Sequence, residues 1–187
     1  MDLQACADGL DSDEVMIQDL VAKFVDQELM PLEAAILERE IKGAHCALTK
    51  EEEASLLDKC RELGLWALDA PEEYGGAGLS SVTLVALNEE IGRTVTPFSF
   101  PPDSPNLHML MATATESQKI KYLEPYAAGT AKSGIAISEP NAGGDPSGMI
   151  TRAERDGDSW VINGRKIWVS RMKSADFTVV MARVGQG

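Results

Sequence analysis

One change of rhythm constrains this chain more than any other feature. Up to about Ala131 the apolar residues recur at helical spacing, and after it they fall in short strand-like runs. Asp11 or Ser12 can cap a first helix, with Val15, Leu20, Val21, Phe24 and Val25 on roughly one face. Pro31 predicts a kink or break in it. Thr49 opens a second helix and Glu52 completes a capping box; Leu56, Leu57, Cys60 and Leu63 follow, and Gly64 stops it. Residues 71–78 are too glycine-rich for regular structure. Ser80 or Ser81 caps the next helix, which ends at Gly92. Ser104-Pro105 starts another, since proline suits the first helical position. Thr115 and Gln118 form a further capping box on a helix reaching about Ala128. Beyond that point, residues 132–137, 151–155, 159–162, 165–170 and 176–183 read as strands. Asn163-Gly164 is the strongest two-residue hairpin signal, so 165–170 is expected to pair back. Helices first and strands second make an α+β fold, with an all-helical domain over 1–130 and a β domain over 131–187.

Composition narrows the function. The 30 acidic and 17 basic residues leave a net charge of −13, which disfavours nucleic acid or an anionic membrane surface as partner. No apolar run approaches the roughly 18 residues of a membrane span. The acidic N-terminus has the pattern of neither a transit peptide nor a secretory signal. Cys6, Cys46 and Cys60 are odd in number and lack metal spacing, so free thiols in a reducing cytoplasm are the reading. Cys60 reads as a small core residue, and His45 and His108 as surface or packing residues.

The chemistry concentrates in 135–145 and 168–170. Ile135, Ala136 and Ile137 suit a pleated segment, and Ser138 and Glu139 bring polar groups to its end. Pro140, Asn141, Gly143 and Gly144 punctuate a loop whose backbone N–H groups can lie open, as a bound phosphate or flavin edge requires. Taken alone, this is also what a β-turn leaving a strand looks like. Three runs in order, however, resemble the acyl-CoA dehydrogenase family. Ala70-Pro71-Glu72-Glu73-Tyr74-Gly75-Gly76-Ala77-Gly78 is similar to its PEEYGGxG loop. Ser138-Glu139-Pro140-Asn141-Ala142-Gly143-Gly144-Asp145 is similar to SEPNAGSD. Asn163-Gly164-Arg165-Lys166-Ile167-Trp168-Val169-Ser170 is similar to NGxKxWITN. The resemblance runs from about Asp13 to Arg183 and covers the front half of the family's length.

The resemblance implies a flavoprotein oxidoreductase that oxidises the α,β carbon–carbon bond of an acyl-CoA thioester. FAD would be its cofactor and an electron-transfer flavoprotein its acceptor, in a homo- or hetero-oligomer. FAD would be held by Ile135, Ala136, Ile137, Ser138, Gly144, Trp168, Val169 and Ser170. Trp168 would pack on the ring system, and Ser170 would hydrogen-bond its reactive edge. The 71–78 loop would lie near the acyl cavity. Gly144 departs from the pattern: the family's serine there reaches the pyrophosphate and the CoA moiety, and a lost hydroxyl costs on the order of 1 kcal/mol. Gly144 would thus touch substrate through its backbone alone. Arg171-Met172 in place of Asn-Gly is a milder departure.

The family's catalytic carboxylate comes from a C-terminal helical domain, and no residue of this chain maps onto it. The strands are too few to close the family's antiparallel β-barrel, which is therefore expected to be incomplete, with an open edge. A truncated product, an engineered fragment or half of a split enzyme is expected, inactive alone. The alternative is a non-catalytic partner or pseudo-enzyme that associates with a full-length relative.

Overall fold

The computed structural model describes residues 10–43, 48–102 and 104–185. Cys6, His45 and Cys46 lie outside them. The chain divides into two compact units, Met1–Ser104 and Pro105–Gly187.

In the first unit, α1 (Ser12–Phe24) begins where Asp11 accepts from the Asp13 and Glu14 N–H groups, and Glu14 reaches back to the Asp11 N–H. This satisfies donors that a helix start otherwise leaves orphaned. Thr83, buried in α4 (Ser81–Ile91), donates to the Glu14 carboxylate and ties the two helices. After α1 the chain widens into a π turn over Val25–Leu29 and tightens into a 3-10 turn over Met30–Leu32. It then resumes as α2 (Glu33–Ile41). Pro31 therefore reshapes the helix rather than ending it, because a changed pitch absorbs its missing donor. Helix α3 (Lys50–Leu63) carries the Thr49–Glu52 capping box and stops at Gly64 in the left-handed conformation. Arg39 on α2 grips Glu52 with both guanidinium nitrogens.

Val21, Phe24, Val25, Leu29, Leu56, Cys60, Leu65, Leu68 and Leu87 close the core of this unit. Phe98 and Phe100 stack around Phe24, with ring centroids 5.4 and 6.4 Å away. Burial pushes the Cys60 thiol up to about 12, so it is a packing residue and not a nucleophile. The 71–78 loop is more ordered than its glycines suggest. Glu72–Tyr74 forms a 3-10 turn, and the loop folds back through Gly78 N–H to Ala70 O (2.8 Å) and Leu79 N–H to Leu68 O (2.8 Å).

The second unit opens with α5 (Ser104–Thr113), followed by α6 (Glu116–Gln118), a π turn over Lys119–Leu123 and α7 (Glu124–Ala127). The expected single helix from Thr115 is thus broken by a wide turn just ahead of Pro125, the same accommodation as at Pro31. The strands are β1 (Ser133–Ala136), β2 (Arg152–Asp156), β3 (Ser159–Asn163), β4 (Phe177–Val180) and β5 (Arg183–Val184). Buried Asn106 donates to Ser133 Oγ at 2.7 Å, and Tyr122 and Tyr126 set their rings against Phe177.

Helices followed by small sheets make the α+β class plain, but the antiparallel barrel is corrected. Among the described residues the strands form two open sheets, β1-β4 and β3-β2-β5, and no closed barrel. Only β2 and β3 are antiparallel; β1 runs parallel to β4, and β2 to β5. The connection from β1 to β4 carries a turn and a hairpin, long enough to return the chain in the same direction. The hairpin itself turns at Gly157-Asp158, with Gly157 at φ 60°, and not at Asn163-Gly164. Residues 165–170 form no strand. Gly164 serves a close approach instead: a Cβ there would lie 2.2 Å from Thr151 Oγ1.

Candidate functional site

Strand β1 pairs Ile135 with Val179 and Ala136 with Val180, then leaves the sheet at Ile137. The Ser-Glu-Pro turn follows. Glu139 and Ala142 exchange both backbone hydrogen bonds, at 2.8 and 3.1 Å, which closes the chain tightly around Pro140 and Asn141. Asp145 then caps a short turn by accepting from the Ser147 N–H at 2.9 Å. Gly143 and Gly144 are exposed, and a Cβ on either would meet nothing within 4 Å.

Glu139 points inward, only 3 % exposed. Its carboxylate accepts from the Ile150 N–H (2.7 Å), the Thr151 N–H (2.9 Å) and Lys166 Nζ (2.9 Å). A buried carboxylate is tolerable only when so satisfied. Lys166 Nζ also donates to Ile137 O at 2.8 Å, and the Ile167 N–H donates to Ser138 O at 3.0 Å. Three segments, 137–139, 150–151 and 164–167, are therefore knitted around one carboxylate.

Trp168 comes next in the chain, directly after the residue bonded to Ser138. Its φ is 57°, in the left-handed region, and its side chain is 86 % exposed. A non-glycine residue there costs of order 1–3 kcal/mol and persists where its surroundings over-determine it. Further on, Ser170 O would lie 3.3 Å from a Cβ on Gly134, so 167–170 runs alongside β1. The Met181 N–H donates to Ala136 O, which brings exposed Met181 to the same strand end as exposed Ile137. An exposed apolar cluster of this kind marks a binding surface.

The geometry thus brings Ile135, Ala136, Ile137 and Ser138 together with Trp168, Val169 and Ser170. Gly144 stands on the outer limb of the turn in open space. Among the described residues the Ser138 and Ser170 hydroxyls take no protein partner. The backbone N–H groups of Trp168, Val169 and Ser170 donate to no backbone carbonyl. An exposed indole beside unpaired hydroxyls and amides fits a planar ring system with a hydrogen-bonding edge. Sequence reasoning missed Glu139 and Lys166 as the anchors of this arrangement. The available signal was an acid placed directly after an apolar strand, where burial demands a cation.

The Ile150 N–H, followed by Thr151 and the Lys166 ammonium, holds the Glu139 carboxyl down to about 2, from an ordinary 4.5. The folded value is the lower one. The ionised form therefore stabilises the fold fully above about pH 4.5, and that contribution is lost as pH falls toward 2. Glu139→Gln is expected to flatten this part of the acid dependence of thermal melting, followed by circular dichroism. An acid limb superimposable on that of the unsubstituted chain contradicts the assignment.

The chain matches two family descriptions in succession, "Acyl-CoA dehydrogenase, N-terminal domain" over residues 11–130 and "Acyl-CoA dehydrogenase, middle domain" over 134–187. It is 35% identical over 171 residues to (R)-benzylsuccinyl-CoA dehydrogenase of Thauera aromatica, covering 87% of this chain and 42% of that protein. The glutaryl-CoA dehydrogenase of Mycobacterium smegmatis, solved in complex with FADH2, superposes with a TM-score of 0.74 at 29% identity, covering 95% of this chain and 44% of that one. A chain of the ChsE4-ChsE5 complex of Mycobacterium tuberculosis gives 0.74 at 26% identity, covering 95% and 43%. The chain spans less than half the length of these relatives. Among the described residues no helix is long and apolar enough to cross a membrane.

Proposed function

Since the chain belongs to the acyl-CoA dehydrogenase family, we propose that it is the flavin-carrying front portion of a FAD-dependent enzyme that oxidises an acyl-CoA thioester between its α and β carbons. One observation carries this reading: the Ile167 N–H to Ser138 O bond sets exposed Trp168 beside the Ser-Glu-Pro turn. When bound, FAD supplies the two-electron acceptor. Trp168 offers it an aromatic plane. Ser138, Ser170 and the amides of 168–170 offer donors to its edge. Ile135, Ala136 and Ile137 form the strand wall behind it. Gly144 leaves its amide for the pyrophosphate and CoA but no hydroxyl.

Glu139 is not the proton-abstracting base. A carboxylate holding three hydrogen bonds, with its pKa down to about 2, is too weak a base for an α proton. We assign that role to a carboxylate outside residues 1–187, so this chain alone does not turn over substrate. The helical division over 1–130 would frame the acyl group, and the sheets of 131–187 would be part of a larger β-barrel. An electron-transfer flavoprotein is the acceptor this reading implies, and the cytoplasm the compartment. The solved likeness to a two-component complex supports an oligomer. Glycine in place of serine at 144 favours a second reading, a non-catalytic subunit pairing with a full-length relative.

The test is to add FAD to the purified chain, remove the excess and record the visible spectrum. Acyl-CoA thioesters of several lengths and a dye acceptor then follow. Retained flavin without bleaching is expected. Rapid bleaching by the isolated chain overturns the inactivity, and failure to retain any flavin overturns the cofactor assignment.

A further inference from the structure

The Ser-Glu-Pro turn and the tryptophan segment are joined by very few bonds, and most of them run through one side chain. Lys166 is one-tenth exposed, and Glu139 is almost wholly buried. The ammonium touches Ile137 O on one side of Ser138 and the Glu139 carboxylate on the other. The next residue, Ile167, bonds to Ser138 itself. Residues 137, 138 and 139 are thus bracketed by 166 and 167, which fixes the Ser138 backbone while its hydroxyl takes no protein partner. On the other side of the bracket stands Trp168, exposed and in a left-handed backbone that needs external support.

We propose that Lys166 is the positioning residue of this site: its ammonium sets the separation and orientation of Trp168 relative to Ser138, and with them the affinity for the flavin. This rests on the reading of the site as a flavin site. Lysine suits the task as a compact point charge with three donors, able to serve a carbonyl and a carboxylate that lie in different directions. Arginine presents a rigid planar fork and needs more room than this half-dry crevice offers.

A plain Lys166→Met change would leave Glu139 buried without its cation and could unfold the unit. The informative variant is therefore Lys166→Met with Glu139→Gln, which removes both charges together and keeps an acceptor for the 150–151 amides. Both chains also carry Trp66→Phe and Trp160→Phe, so that emission reports Trp168 alone. The double variant is expected to stay folded by circular dichroism while its Trp168 anisotropy falls without any added ligand. Its FAD affinity is expected to drop about tenfold, the equivalent of one charge-assisted hydrogen bond.

A folded variant with unchanged Trp168 anisotropy overturns the proposal. So does unchanged FAD affinity. Lower anisotropy in the variant, with no FAD binding by either chain, sinks the flavin reading and leaves the positioning role standing. If the double variant unfolds, Lys166→Arg decides the matter. A folded Arg variant with lowered anisotropy supports the proposal, and one indistinguishable from the unsubstituted chain overturns it.

Discussion

Gly164→Ala is expected to cost the second unit about 3 kcal/mol, the upper end of what overpacking a tight site usually does, and to abolish FAD binding with it. The new methyl would fall 2.2 Å from Thr151 Oγ1, 2.6 Å from its Cβ and 2.7 Å from its Cα. Such distances cannot be relieved by a rotamer change, because backbone as well as side chain stands in the way. Thr151 is buried, and its N–H is one of the three donors to Glu139. Moving Thr151 outward therefore pulls at the carboxylate that holds Lys166, and through it at Trp168. Moving 164 instead displaces Lys166 directly. Either relaxation spoils the site. Thermal melting and FAD titration of the variant check this. A variant that melts and binds FAD as the unsubstituted chain does would show that the close approach is not structural.

A second large effect is expected at Gly76→Ala in the first unit. A Cβ there would lie 2.1 Å from Ala70 O and 2.3 Å from Ala67 O, both backbone atoms. The loop returns on residues 67–70 through the Gly78 and Leu79 bonds, so it cannot lift away without breaking them. Ala67 already has φ 48° and donates to Pro101 O, which leaves that side little freedom. The expected loss again reaches about 3 kcal/mol. It should appear as a lowered midpoint in urea with the slope retained. Gly75→Ala is the informative neighbour. Its Cβ would meet nothing within 4 Å, but its φ of 76° makes the cost one of backbone strain, about 1 kcal/mol. Equal stability of Gly76→Ala and the unsubstituted chain contradicts the account of this loop.

These two glycines mark where sequence reading succeeded and where it stopped. The capping boxes at Thr49–Glu52 and Thr115–Gln118 were legible because each is complete within four residues. Gly64 as a helix stop was legible for the same reason. The hairpin was not. Asp156-Gly157-Asp158 and Asn163-Gly164 are competing turn signals a few residues apart, and local chemistry does not rank them. The contact between Gly164 and Thr151 decided between them, and that contact exists only in the folded unit. Parallel pairing of β1 with β4 is likewise a property of a long connection, not of either strand.

The site divides in the same way. The motif runs pointed to Ser138 and Trp168, and these do come together. What joins them was hidden, because Glu139 and Lys166 are far apart in sequence and unremarkable in composition. Only burial turns an acid and a lysine into the anchor of three segments.

The central claim is that Ser138 and Trp168 together hold an isoalloxazine ring. The most direct measurement is Trp168 emission in the Trp66→Phe, Trp160→Phe chain during titration with FAD. Saturable quenching at one FAD per chain, lost in Trp168→Phe, is the predicted result. FAD that binds without touching Trp168 emission, or that never quenches it at any concentration, would contradict the account.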